Sequence, residues 1–173
     1  MRLLVAHWTS KLNHGRLCSR CILVAGFRTS QDVIFPQNLS SLRIWDSRKL
    51  KPLARWGLQR LTSLGEFSVW RGFQELEFLG DDDGRFPRSL IKFSIARFPK
   101  LSKVIENLTS LHHLSITNCT SLNVLPSENL LDKLWHLELS DCPPLKQRCL
   151  KGDYWNKIAG IPCVELDGTY IYR

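Results

Sequence analysis

Leu108-Thr-Ser-Leu111-His-His-Leu114-Ser-Ile116-Thr-Asn-Cys119 is the stretch that decides the fold. Its aliphatic residues fall at 108, 111, 114 and 116, so the spacing tightens from three to two. A spacing of two places Leu114 and Ile116 on one face of a strand and their neighbours on the other. The same phrase recurs on both sides. Leu61-Thr-Ser-Leu64 precedes Phe67-x-Val69, and Leu134-x-x-Leu137-x-Leu139-x-x-Cys142-x-x-Leu145 follows. Two more copies open on Phe-Pro: Phe35-Pro36-x-x-Leu39-x-x-Leu42-x-Ile44 and Phe86-Pro87-x-x-Leu90-x-x-Phe93-x-Ile95. The central anchors at 42, 67, 93, 114 and 137 are separated by 25, 26, 21 and 23 residues.

Leucine-rich repeats run about 20 to 29 residues on the pattern L-x-x-L-x-L-x-x-N/C-x-L. Here the last gap is two residues rather than one. Four columns can be scored against each anchor: three before, the anchor, two after and eight after. Of these 20 positions 19 are apolar, with Glu75 the exception and Leu76 beside it. At 43% apolar overall, chance would supply about nine. One repeat cannot bury its apolar face alone, whereas stacked copies share a continuous core. The pattern predicts an α/β leucine-rich-repeat solenoid, a horseshoe with a parallel β-sheet on its concave face, an irregular convex side and a C-terminal cap.

Five positions past each anchor the chain must turn inward, where Asn or a small Cys fits. Ser47, Gly72, Phe98, Cys119 and Cys142 occupy that column, so only the last two copies keep the preference and the earlier ones are expected to be less regular. Gly80-Asp-Asp-Asp-Gly84 reads as a solvated loop on the return side. A competing helical reading fails on Pro36, Pro52, Pro87, Pro99, Pro126, Pro143 and Pro144, which interrupt the return segments. About five repeats are expected over 35–145. Residues 1–34 form an irregular or degenerate N-terminal segment that fits no repeat register, and 146–173 form the cap. In that cap Leu150, Trp155, Ile158 and Ile161 are bulky enough to cover an open end, and Asp167-Gly168 is a two-residue hairpin signal.

Composition narrows the function. The net charge of +8 is concentrated: residues 1–60 hold 11 Lys/Arg against 2 Asp/Glu, and residues 61–173 hold 13 against 14. No sustained cationic stripe follows the repeats, which argues against nucleic acid as the partner. The longest apolar run, Cys21–Phe27, falls far short of the roughly 20 residues a membrane span needs. The N-terminus is too short in apolar residues for a secretory signal, so a cytoplasmic protein with no membrane partner is expected. Six cysteines then read as thiols, and Cys18-Ser-Arg-Cys21 lacks a second ligand pair for a structural metal. No G-x-S-x-G, H-E-x-x-H or G-x-G-x-x-G occurs, and no cofactor, metal or enzymatic activity is expected.

The tail carries a family resemblance. Cys142-Pro-x-Leu145-Lys-x-Arg148-Cys149, Tyr154-Trp155-x-Lys157-Ile158 and Ile161-Pro162-x-Val164 resemble the C-terminal end of plant nucleotide-binding, leucine-rich-repeat disease resistance proteins. The coiled-coil class is nearest. Leu108–Cys119 and Leu122-x-x-Leu125-Pro126 resemble that family too, so the likeness covers about residues 35–173. It implies the recognition or autoregulatory repeat region of an intracellular immune receptor. Implied partners are proteins: a pathogen effector, a host guardee or the receptor's own switch domain. The chain departs from the family in having neither a G-x-x-x-x-G-K-[ST] phosphate cradle nor sustained heptads. It is therefore expected to be the terminal part of such a receptor, as a truncated product or a partial gene model. The rival is the substrate-binding repeat region of an F-box-type ubiquitin-ligase adaptor, against which the tail argues.

Residues flanking the anchors should point away from the core, on the concave face. The partner-binding candidates there are Arg43, Trp45, Glu66, Ser68, Trp70, Lys92, His113, Ser115, His136 and Glu138. Neighbouring strands lie about 4.8 Å apart, so Trp45 and Trp70 are expected side by side. Outward tryptophans are uncommon on a solvated sheet and favoured at binding hot spots. His113 and His136 share a column but have no paired carboxylate geometry or nucleophile, so they read as surface histidines.

Overall fold

A computed structural model describes residues 6–7, 21–25, 35, 37–45, 57–71, 75, 77–79, 86–104, 108–151 and 154–171. Ser47, Gly72 and the Gly80–Gly84 loop lie outside the described residues, as does most of 1–34. The fold is α/β, dominated by one nine-stranded sheet. Its strands are β1 (Ala6–His7), β2 (Cys21–Ala25), β3 (Ser41–Trp45), β4 (Glu66–Trp70), β6 (Lys92–Ala96), β8 (His113–Thr117), β9 (His136–Ser140), β10 (Cys163–Leu166) and β11 (Thr169–Ile171). They lie in chain order across the sheet. The seven strands from β2 to β10 are parallel, and β1 and β11 pair antiparallel at the two edges.

The register follows the anchors. Leu42, Phe67, Phe93, Leu114 and Leu137 stand opposite one another across five consecutive strands, and Ile44, Val69, Ile95, Ile116 and Leu139 do the same two residues on. All ten are at most 1% exposed, as strand alternation with one buried face demands. Burying a side chain of this size stabilises by about 1.5–3 kcal/mol. The leucines three before each anchor (39, 64, 90, 111 and 134) complete the same core. The shared Leu-Thr-Ser-Leu phrase also has a structural cause. Leu64 N–H donates to Leu61 O at 3.0 Å and Leu111 N–H to Leu108 O at 3.5 Å, so a turn brings both leucines of each phrase inward.

Two strands join the sheet beyond the five anchors. Ile22 of β2 stands opposite Leu42, so residues 21–25 take the register of a repeat although Ser19 replaces the leading leucine. At the other end Val164 of β10 stands opposite Leu137. The hairpin follows as its sequence predicts: Asp167 and Gly168 have φ of 48° and 76°, the left-handed pair that a tight antiparallel turn needs.

On the return side lie a two-stranded parallel sheet of β5 (Phe78–Leu79) and β7 (Lys103–Val104) and the short helix α1 (Glu128–Leu131). Helix α2 (Pro143–Lys151) starts on a proline, whose missing N–H costs nothing in a first turn, and it runs across the expected repeat–cap boundary. Leu145 and Cys149, one helical turn apart, are fully buried. Leu150 is on the opposite face and 52% exposed, so it does not cover an open end; Ile158 of α3 (Trp155–Ile158) and Ile161 do pack inward.

A main-chain ladder runs along each end of the parallel strands. At the leading end one carbonyl accepts two N–H groups of the next strand's entry: Ser40 O from Gly65 and Glu66, Gly65 O from Ile91 and Lys92, Ile91 O from His112 and His113, His112 O from Trp135 and His136. At the trailing end Arg71, Arg97, Asn118 and Asp141, each four past its anchor, have φ of 52° to 64°. Arg71, Arg97 and Asn118 N–H donate to the carbonyls of Ala96, Thr117 and Ser140 on the next strand. The Asp141 N–H finds instead the Asp167 carboxylate at 2.8 Å, which Lys146 Nζ also contacts.

Candidate functional site

Strand alternation places every predicted candidate on the face opposite the core. Arg43, Trp45, Trp70 and Lys92 are exposed, and Glu66, Ser68, His113, Ser115, His136 and Glu138 are half-buried. Trp45 and Trp70 are directly paired across β3 and β4, with ring centroids 4.3 Å apart and planes tilted by 39°. At 42% and 43% exposed they offer a joined apolar surface.

Beside them Glu66 ties the leading edge together. It accepts the Ser41 hydroxyl at 3.0 Å, and Arg43 and Lys92 approach it at 3.6 and 3.9 Å. Pairs this exposed contribute little to stability, so their importance is in fixing side-chain positions. The candidates Arg43, Glu66 and Lys92 thus partly satisfy one another.

His113 and His136 meet edge-to-face with centroids 5.9 Å apart. Burial lowers the His113 pKa, and the positive charge of Lys92 reinforces this, so its imidazole is neutral at pH 7. His136 Nε2 is buried without a hydrogen-bond partner among the described residues, and Glu165 Oε2 lies 3.9 Å away. Among the described residues no three His, Cys, Asp or Glu side chains converge as metal ligands would.

A groove of about 660 Å³ lies at the trailing end of the strands, lined by Trp45, Trp70, Arg71, Ala96, Arg97 and Thr117, with Ser115 and Glu138 farther across. Arg71 and Arg97 carry no sequence signal for this role. They lie four past the anchors, outside the strictly alternating columns, and only a positive φ at Arg brings them to the rim. Glu165 was equally hidden, because its place opposite Glu138 depends on β10 extending the parallel sheet. Trp135, 65% exposed and 5.3 Å from the His112 ring, lies two before an anchor, a column that alternation alone assigns no role.

Over 139 residues, 78% of its length, the chain is 30% identical to an Arabidopsis thaliana protein whose name assigns it to disease resistance. That stretch is 10% of the relative, so the chain spans about a tenth of its length. No protein-family model matches the sequence, and no solved structure matches it. Among the described residues no helix is long and apolar enough to cross a membrane.

Proposed function

We propose that this chain is the recognition or autoregulatory leucine-rich-repeat region of an intracellular plant immune receptor, acting in defence by protein contact rather than catalysis. On this reading the parallel sheet is the concave face of a repeat solenoid, 35–145 are its repeats and 146–173 its cap. The Trp45–Trp70 pair carries the reading: two large apolar rings, each over 40% exposed, stand side by side on the strands. Aromatic anchors of that kind dominate binding energy at protein interfaces. The likeness to a protein named for disease resistance supports the biological setting. Arg43, Trp45 and Trp70 are the anchoring residues, and the contact is with an effector, a guarded host protein or the receptor's own switch domain.

Two measurements test this. A Trp45→Ala/Trp70→Ala variant should keep the cooperative unfolding of the parent and lose capture of its protein partner in plant extract, at a cost of about 2 kcal/mol or more per anchor. If the variant unfolds, the tryptophans are core residues. Reading the genomic DNA upstream of Met1 tests the setting: an in-frame phosphate-cradle motif supports the receptor, and an F-box refutes it.

A further inference from the structure

Three residues past each anchor the side chains change abruptly in size: Trp45 and Trp70, then Ala96 and Thr117. The Trp70 ring therefore stands as a wall beside a step, and the step is the floor of the groove. Its volume of about 660 Å³ suits a short segment with one or two side chains inserted.

The charges around that step are unevenly placed. Arg71 and Arg97 are exposed at the rim beside the tryptophans, and their main-chain N–H groups are committed to the ladder along the strand ends. Neither guanidinium is in an ion pair among the described residues. Glu66, by contrast, already has Arg43 and Lys92. Across the groove the sign reverses, with Glu138 in the lining and Glu165 opposite it on the next strand. A ligand is thus offered an apolar wall and two open cations at one end and carboxylates at the other. Guanidinium groups recognise carboxylates through paired, planar hydrogen bonds, which makes a carboxylate the complementary group.

We propose that this groove binds an acidic peptide segment, seating an apolar side chain against Trp70 over Ala96 and a carboxylate between Arg71 and Arg97. The proposal deepens the recognition reading of this face and rests on it. Polarity is part of the assignment: the acidic end lies toward β4 and β6, and the end over Glu138 carries a hydrogen-bond donor or a cation.

The test is an array of short randomised synthetic peptides probed with the full chain and three variants. The wild-type chain should retain peptides in which Asp or Glu neighbours an aromatic or aliphatic residue. Arg71→Glu/Arg97→Glu should reverse the preference to Lys or Arg, and weaken binding to the acidic set by about tenfold or more. Arg71→Lys/Arg97→Lys should keep the acidic preference at reduced strength. Trp70→Ala keeps the net charge of +8 and should lose the acidic set as well. All three positions are exposed, and thermal unfolding of each variant verifies the fold. A bound set with no acidic enrichment overturns the proposal. So does an enrichment that ignores the arginine reversal, or one that survives Trp70→Ala unchanged, since it would then be diffuse attraction to a basic chain. Trp70-dependent capture without charge preference would sink this proposal alone. An F-box upstream would sink the receptor reading and leave acidic-peptide binding intact.

Discussion

Replacing Phe93 by alanine probes how the core is shared between strands. Phe93 is 1% exposed, stacks on Phe67 at 5.9 Å and meets the Phe86 ring at 5.6 Å in an edge-on pose. A buried Phe→Ala change costs about 3–5 kcal/mol through lost transfer energy and the cavity left behind. The two aromatic contacts, at about 0.5–1.5 kcal/mol each, put this site toward the upper end of that range. Against a total stability of roughly 5–15 kcal/mol this is a large fraction. With a urea slope of roughly 1–3 kcal/mol per molar, the unfolding midpoint should fall by at least about 1 M. The damage should also be local, because β6 is hydrogen-bonded only to β4 and β8 within the sheet. Amide hydrogen exchange should accelerate in β4, β6 and β8 before β10. A loss below about 1 kcal/mol would show that the anchor column is not the core. Uniform acceleration from β3 to β10 would refute coil-by-coil stabilisation.

Two further outcomes are expected. The Asp167 carboxyl is held below its ordinary 3.8 by Lys146 and by the Asp141 N–H. Its contribution is therefore complete above that value and lost as pH falls through the lower folded value. Asp167→Asn should remove part of the rise in urea midpoint as pH climbs to the ordinary carboxyl value of 3.8, and an unchanged acid slope would show that this closure is not felt by the fold. The thiols give the other test. Burial pushes Cys149 up to about 11, while Cys119 is raised by its hydrogen bond with Cys142 and by burial; all three side chains are at most 1% exposed. Iodoacetamide at pH 8 should therefore label Cys163 in the folded chain and reach Cys119, Cys142 and Cys149 only after urea is added. Equal labelling of all four without urea would contradict the packing.

What the sequence revealed and what it hid divide along physical lines. Strands β3, β4, β6, β8 and β9 were legible because each repeats a tight apolar spacing that alternation converts directly into a buried face, whereas the two-residue strands β5 and β7 carry no such spacing. The Trp45–Trp70 pair followed from register alone. Residues 21–25 were not legible as a strand of the same sheet. The run Cys-Ile-Leu-Val-Ala is apolar at every position and carries no period, so only pairing with β3 sets its register. Leu150 has the bulk to cover an open end but not the phase, and α2 presents Leu145 and Cys149 to the core instead. Arg71 and Arg97 are silent in the sequence for a different reason. A left-handed turn is signalled by Gly, Asn or Asp, as at Asn118 and Asp141, and arginine gives no such warning. The groove was half visible: its apolar wall lay in the alternating columns, and its cations did not.

The Asp167 carboxylate has a consequence for how such a chain can change over time. At Arg71, Arg97 and Asn118 the trailing N–H is received by a main-chain carbonyl of the following strand, until at Asp141 a side chain takes that place. Termination is thus written into one local exchange of acceptor and depends on nothing farther back than β9. A whole unit gained or lost by unequal recombination among the earlier strands leaves this seam untouched. On the repeat reading, the number of strands before β9 can change without altering this contact between Asp141, Lys146 and Asp167.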